Sequence, residues 1–137
     1  MKGKLIWSIF WALVGAFVVI ACLFTIPAAG ELLRGPLFLI VAGAVLFALG
    51  GALIFLTVKQ KVGGLLKKFQ LLTGASAVGI PVGAALHNLV YALFITWFGA
   101  DFWKGGDEPF FFVMALIVCP IGFLVGAVGS IVLATRK

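Results

Sequence analysis

Four side chains in the second half of the chain have the chemistry of a functional site: His87, Asn88, Tyr91 and Cys119. His87 and Tyr91 are four residues apart, which places them on one face of a helix with Asn88 beside them. Imidazole, amide, phenol and thiol groups can exchange hydrogen bonds, and an imidazole can also relay a proton or bind a metal. The elements that carry these residues determine which of these roles is open to them.

The composition of the chain indicates a membrane protein. Of its 137 residues, 64% are hydrophobic and 10% are charged, and the net charge is +6. A soluble domain has about 25% charged residues, and a domain of this size could not bury so much apolar surface. The basic residues lie at the ends of apolar runs, which orients membrane helices and does not indicate nucleic-acid binding.

Charged residues divide the sequence into four long uncharged stretches, each longer than the ~20 residues that cross a hydrocarbon core. We therefore predict an all-α integral membrane protein, a bundle of four transmembrane helices in two hairpins, with residues 1–137 in a single domain. The predicted helices are about 5–27, 37–58, 70–98 and 110–134. The segments are too long for the strands of a membrane barrel and lack the alternation of such strands.

The distribution of Lys and Arg predicts the orientation of the helices. The N-terminus, the second loop and the C-terminus hold eight of these residues, whereas the first and third loops hold Arg34 and Lys104. We predict that both termini are cytoplasmic, in a plasma or inner membrane. The second loop contributes Lys59, Lys61, Lys67 and Lys68. Topology explains these four lysines, and contact with anionic lipid headgroups is the alternative.

Small residues on the third and fourth helices predict how these helices pack. Lipid tails are apolar, so contact between helices gains no hydrophobic free energy. Close approach through small side chains must therefore supply much of the attraction. Pro81 and Pro120 lie inside the same two helices, and each predicts a kink because it removes a helical hydrogen bond. The predicted facing stripes are Ala75, Gly79, Gly83 and His87 on the third helix, and Cys119, Gly122, Gly126 and Ser130 on the fourth.

Acidic residues occur together just before the fourth helix. We interpret Asp107 and Glu108 as capping groups at the positive end of that helix, and an external cation or partner site is the alternative. With Asp101 they form the only acidic cluster in the sequence, and no His is near them along the chain. This argues against an enzyme with paired acid and base groups at the interface.

The predicted spans contain no Asp, Glu, Lys or Arg in their interior, whereas proton-coupled transporters usually place an ionisable group there. His87 lies near the middle of the predicted third helix, and the antiparallel fourth helix would bring Cys119 to the same depth. We interpret this intramembrane polar group first as hydrogen bonding between helices and alternatively as a functional site. One His and one Cys at this polar group are too few ligands for a tetrahedral metal site, so we predict no metal or cofactor.

Two functions are consistent with these residues. The first is a non-enzymatic membrane protein that works by association, either as a self-associating bundle or as an accessory subunit of a larger membrane complex. The second is a small transporter or channel for a neutral or weakly polar solute, which would need a water-accessible cavity that reaches His87. The predicted partners are the lipid bilayer and a second copy or a membrane complex, with no nucleic acid.

Overall fold

The computed structural model describes residues 2–31 and 35–136, and these residues are helical with turns and contain no strand. Arg34 and Lys137, which contribute to the predicted charge distribution, lie outside the described residues. Four long helices account for most of the chain: α1 (Lys2–Thr25), α2 (Pro36–Lys59), α3 (Gly64–Phe98) and α4 (Phe110–Thr135). A short 3-10 turn, Pro27–Ala29, follows α1.

All four helices are long and apolar enough to cross a membrane, so the prediction of an all-helical chain with four such helices is confirmed for the described residues. Pro36 begins α2, where its missing N–H leaves no helical hydrogen bond unmade. Gly99 ends α3 with a φ of 93°, a conformation that glycine adopts without strain.

Helix α3 begins at Gly64, six residues before the predicted start at residue 70. The connection between α2 and α3 is therefore residues 60–63 alone, and Lys67 and Lys68 belong to the first turns of α3. The prediction placed the start after the last lysine, but lysine is a good helix former and does not interrupt a helix.

Small residues bring α3 and α4 close together. A Cβ on Gly126 would lie 2.7 Å from the backbone nitrogen of Thr73, so the two backbones are almost in contact there. The contact positions on α3 are three or four residues apart, the spacing of left-handed helix packing. A strict four-residue stripe drifts around a helix of 3.6 residues per turn, and Ala75 is accordingly exposed. The contacting pairs are Thr73 with Gly126, Ser76 with Gly122, Gly79 with Cys119, and Gly83 with Ala115.

The opposite side of α3 packs on α2, again through glycine. A Cβ on Gly50 would lie 2.8 Å from the carbonyl oxygen of Gly74. Farther along, a Cβ on Gly43 would lie 3.2 Å from the Cβ of Pro81. Helix α3 therefore lies between α2 and α4 and contacts both at short distance.

Helix α1 is attached through large side chains instead of glycines. Phe10 and Leu13 are fully buried in the core of the bundle. Phe17 stacks on Phe123 of α4 with ring centroids 4.1 Å apart. The bundle is thus held by two different kinds of packing, with the closest backbone contacts around α3.

The contacts of α3 fix which residues lie at the same level of the bundle. Gly43 is opposite Pro81, and Ala115 is opposite Gly83. Counting equal numbers of residues from these contacts places the first residues of α2 and α4 level with residue 88. Helix α3 continues for ten more residues, 89–98, which at 1.5 Å per residue project ~15 Å past that level. His87 therefore lies at one end of the bundle and not half-way along it, as its position within the predicted helix had indicated.

The two internal prolines have different surroundings. Pro81 lies within the continuous helix α3. Pro120 follows a π turn, Met114–Val118, in which the N–H of Cys119 bonds to the carbonyl of Met114. The wider π turn accommodates the proline, because the hydrogen bond that Pro120 cannot make falls where the helical ladder has already changed its register.

Candidate functional site

The ion pairs found among the described residues both involve His87. Its Nδ1 lies 3.0 Å from Oε2 and 3.1 Å from the carbonyl oxygen of Glu108. Its Nε2 lies 3.3 Å from Oδ1 of Asp107. We call His87, Asp107 and Glu108 the His87 clamp. Because the clamp joins α3 to the residues just before α4, it fastens the α3–α4 loop to the end of the bundle.

Glu108 is the buried member of the clamp, with 3% of its surface exposed. Its Oε1 accepts hydrogen bonds from the backbone N–H groups of Phe110 at 2.7 Å and Phe111 at 3.1 Å. These N–H groups have no partner within the helix, so Glu108 caps α4 as predicted. Burial of the carboxylate opposes its ionisation, but the hydrogen bonds from His87 and from the start of α4 outweigh burial and lower the pKa of Glu108.

Asp107 is the exposed member of the clamp, with 58% of its side chain accessible. Its Oδ1 accepts the backbone N–H of Glu108 at 2.9 Å as well as facing Nε2 of His87. A ring that carries protons on both nitrogens donates to both carboxylates, whereas a neutral ring has one N–H. In this structure both ring nitrogens face acceptors, so the arrangement suits the imidazolium form.

Beyond the clamp lies a cluster of six aromatic rings, four on the projecting part of α3 and two on the loop that follows it, which we call the aromatic cap. The α3–α4 loop turns back along α3, so that Trp103 stacks on Tyr91 with centroids 6.0 Å apart and donates its indole N–H to the Tyr91 carbonyl at 3.3 Å. Phe94 is at the centre of the cluster and contacts four of the other rings. The cap consists of Tyr91, Phe94, Trp97, Phe98, Phe102 and Trp103.

The cap holds its rings together but leaves part of them uncovered. Trp97 is 67% exposed and Phe98 is 63% exposed. Phe102 is also exposed, while Trp103 is half-buried against the helix. The outer side of the cap is therefore a large apolar surface that no described residue of the chain covers.

The structure separates the residues that the sequence placed together around His87. Tyr91 belongs to the cap one turn farther along α3. Asn88 is exposed, and its amide donates to the carbonyl of Ala84 at 3.0 Å within the same helix. Cys119 is buried against Gly79, two turns away from His87.

The partners of His87 were not predicted from the sequence. Asp107 and Glu108 are about twenty residues from His87 along the chain, so the sequence shows no His near the acidic cluster. The return of the loop along α3 brings these groups together. The sequence feature that could have suggested this contact is the presence of a His on one helix and a capping acid just before the next. The lengths of the helices alone do not predict that the two meet.

A second polar group lies among α2, α3 and α4 toward the other end of the bundle. Thr57 donates to the carbonyl of Leu53 at 2.7 Å and lies 3.3 Å from Oε1 of Gln70. The Ser130 hydroxyl is buried and has no hydrogen-bond partner among the described residues. The buried polar residues here are Thr57, Gln70, Thr73, Ser76 and Ser130. Of these residues, Thr73 and Ser76 contribute directly to the packing of α3 on α4.

The predicted basic residues collect at the end opposite the cap. Lys59 ends α2, Lys61 lies in the following turn, and Lys67 and Lys68 are in the first turns of α3. Lys59, Lys61 and Lys68 are exposed and Lys67 is half-buried. Arg136, after α4, lies at the same end, which we call the basic end.

Two open grooves lie away from His87. One is on α1 beside Trp7 and Trp11, and the other is an apolar groove of about 300 Å³ between α1 and α2. In the described residues, no group of three His, Cys, Asp or Glu side chains is arranged to hold a metal ion. In the clamp, the oxygens of Glu108 are already engaged by His87 and by the start of α4.

No known protein family, curated protein or solved structure matches this chain. The fold itself therefore defines the class. The described residues contain four apolar helices compatible with a transmembrane bundle, which indicates a multi-pass membrane protein. Its distinguishing features are the His87 clamp and the aromatic cap.

Proposed function

We propose that this chain is a non-enzymatic membrane protein that works by association, as a self-associating bundle or as an accessory subunit of a larger complex. In this proposal the aromatic cap is the docking surface. The basic end faces the cytoplasm with both termini, and the cap lies on the opposite face of a plasma or inner membrane, in agreement with the positive-inside rule.

The observation that carries this proposal is the projection of α3. Residues 89–98 extend ~15 Å past the level at which α2 and α4 begin. If the bundle spans the hydrocarbon, the headgroup layer on one side adds only ~5–8 Å. The outer part of the cap would then lie beyond the lipid, where an apolar surface in water is destabilising unless another molecule covers it.

The residues at the tip are suited to docking. Tryptophan and other aromatic residues are enriched at the centres of protein interfaces because they bury a large area at low cost in conformational entropy. Trp97 and Phe98 are the most exposed rings of the cap and lie at the last turn of α3. The clamp holds the base of the cap in place, so that this surface is ordered before a partner binds.

The experiment is native mass spectrometry and crosslinking of the chain purified in a gentle detergent or in nanodiscs. The unmodified protein is expected as an oligomer or with a copurifying partner. The double variant Trp97→Ala/Phe98→Ala should lose most of this association while keeping its helical circular dichroism, because neither side chain is buried in the bundle.

The matched control is Leu37→Ala, which removes an apolar side chain that is 74% exposed on α2. Leu37 lies on the flank of the bundle, where lipid can cover it, so this variant should associate normally. A strictly monomeric protein without any copurifying partner would contradict the proposal, as would equal losses in the cap variant and in Leu37→Ala.

A transporter or channel that uses His87 has less support. That function needs a hydrated cavity at the residue, whereas the His87 side chain is 15% exposed and packs against Phe112 with ring centroids 5.6 Å apart. The two grooves described above are lined by other residues. Reconstituted protein that conducts a solute, with flux lost in His87→Ala but folding retained, would favour the transporter.

A further inference from the structure

The two contacts of the His87 clamp respond differently to loss of a proton from the ring. In a neutral imidazole only one nitrogen carries a hydrogen. Nδ1 is within 3.1 Å of two oxygens of Glu108, both of which only accept, so this nitrogen keeps the hydrogen. Nε2 would then present a lone pair to Oδ1 of Asp107 at 3.3 Å, which turns an attractive contact into a repulsive one.

We propose that His87 is a pH-sensitive latch for the α3–α4 loop: the imidazolium holds both Asp107 and Glu108, whereas the neutral ring keeps Glu108 and releases Asp107. Histidine is the side chain whose charge ordinarily changes between about pH 5 and 8. The latch is therefore closed while both ring nitrogens carry a proton, and it is loosened when Nε2 has lost its proton.

The surroundings of the two carboxylates explain why one contact is permanent and the other is released. Glu108 is buried and bonded to the start of α4, and its lowered pKa keeps it ionised throughout this range. Asp107 is exposed, so water can solvate it as soon as it leaves the ring. Both contacts rest on the same ring, but only Glu108 has several further bonds that hold it in place.

No other charged group among the described residues pairs with the clamp. From α4 the clamp meets the ring of Phe112 and backbone N–H groups, and α3 carries its lysines at the basic end. Asp101 and Lys104 in the same loop, and Glu31 before α2, form no ion pair with His87, Asp107 or Glu108. His87 is therefore the charged partner of Asp107 among the described residues, and the other donor to Oδ1 of Asp107 is the uncharged backbone N–H of Glu108.

Release of Asp107 has a consequence for the aromatic cap. The segment between Gly99, at the end of α3, and Asp107 carries Phe102 and Trp103 of the cap. With Asp107 free, this segment is anchored by the stacking of Trp103 on Tyr91 and by Glu108. The latch thereby regulates the presentation of the docking surface, a biological role that rests on the proposed function, whereas the latch itself does not.

The experiment measures the exposure of Trp103 in the full chain in nanodiscs. In a background with Trp103 as the single tryptophan (Trp7, Trp11 and Trp97 replaced by Phe), acrylamide quenching is followed from about pH 5 to 8. The open population should rise by roughly two- to fivefold as pH increases, the range expected for a partly exposed ion pair.

Three variants test the assignment. In His87→Gln, which keeps a hydrogen-bond donor but does not titrate, and in Asp107→Asn, quenching should be independent of pH. The matched control is Asp101→Asn, another exposed acid of the same loop that has no ion pair among the described residues. It should reproduce the unmodified profile.

A flat profile in the unmodified protein would overturn the latch whether or not the variants fold, and so would a profile that persists in Asp107→Asn. The measurement needs no partner. If the protein is monomeric and its Trp103 responds to pH, the docking proposal is contradicted and the latch is supported. If the protein associates but its quenching profile is flat, the latch is contradicted and the docking proposal stands.

Discussion

At the scale of single residues, Glu108 connects three parts of the molecule. Its carboxylate caps α4, accepts a hydrogen bond from His87 of α3, and lies next to Asp107, the residue through which the loop reaches the ring. A buried carboxylate that accepts several hydrogen bonds is stabilising only while it is ionised, because its protonated form cannot accept all of them.

We therefore expect acid to destabilise the fold through Glu108. The folded-state pKa of this group is lowered, so its stabilisation is fully present above the ordinary value of about 4.3 and is lost as pH falls through the lower folded value. Glu108→Gln should lower the free energy of unfolding at neutral pH by about 1–3 kcal/mol and flatten its decline below about pH 4.3. Thermal or SDS-induced unfolding in detergent measures both effects.

Asp107→Asn serves as the control for this substitution. Asp107 is largely exposed, and an exposed ion pair contributes about 0–1 kcal/mol. This variant should therefore unfold almost like the unmodified protein. If it lost as much stability as Glu108→Gln, the buried carboxylate would not be the main attachment of the loop.

At the scale of elements, α3 is the helix that organises the bundle, because it contacts α2 and α4 through opposite faces. Glycines permit both contacts. At Gly50 the neighbouring atom is the backbone oxygen of Gly74, which cannot move aside as a flexible side chain can. The next residue, Gly51, has no neighbour within 4 Å of the position of an added Cβ.

The adjacent substitutions Gly50→Ala and Gly51→Ala should consequently differ in their effect on the free energy of unfolding. Gly50→Ala must separate α2 from α3 and should cost about 1–3 kcal/mol of unfolding free energy. Gly51→Ala should be neutral or stabilising by up to about 1 kcal/mol, because alanine restricts the unfolded chain more than glycine does. Unfolding by SDS, followed by circular dichroism, compares them. Equal effects would contradict the register of α2 against α3.

At the scale of the whole molecule, the bundle has two unlike ends. Arg136 and most of the described lysines occupy the basic end, whereas Lys104, the described acidic residues and the aromatic cap lie at the end where α3 projects. The positive-inside rule then predicts that the basic end is cytoplasmic and the cap is on the other side of the membrane.

Cysteine labelling tests this orientation. In a background with Cys22 and Cys119 replaced by Ala, Asp101→Cys and Arg136→Cys each place a thiol at an exposed position at one end of the bundle. In intact cells a membrane-impermeant maleimide should label Asp101→Cys, and it should label Arg136→Cys only after permeabilisation. The reverse pattern would show that the cap faces the cytoplasm.

The sequence alone determined the number and the apolar character of the helices, and the length of each helix except α3, which begins six residues before its predicted start. These properties are local, since hydropathy over about twenty residues decides whether a segment can span a bilayer, and proline, glycine and charges mark its ends. Glu108 as a helix cap could likewise be predicted, because capping involves residues next to one another along the chain.

The tertiary structure decided what surrounds His87. The prediction from the sequence grouped His87 with Cys119 because it took the middle of a helix to be the middle of the bundle. The same prediction did not include Asp107 and Glu108 as partners of His87. Which residues share a level depends on the packing of glycines between helices, and the contact with the acids depends on a loop that turns back along α3. Both are relations between distant segments, and helical periodicity contains no information about them.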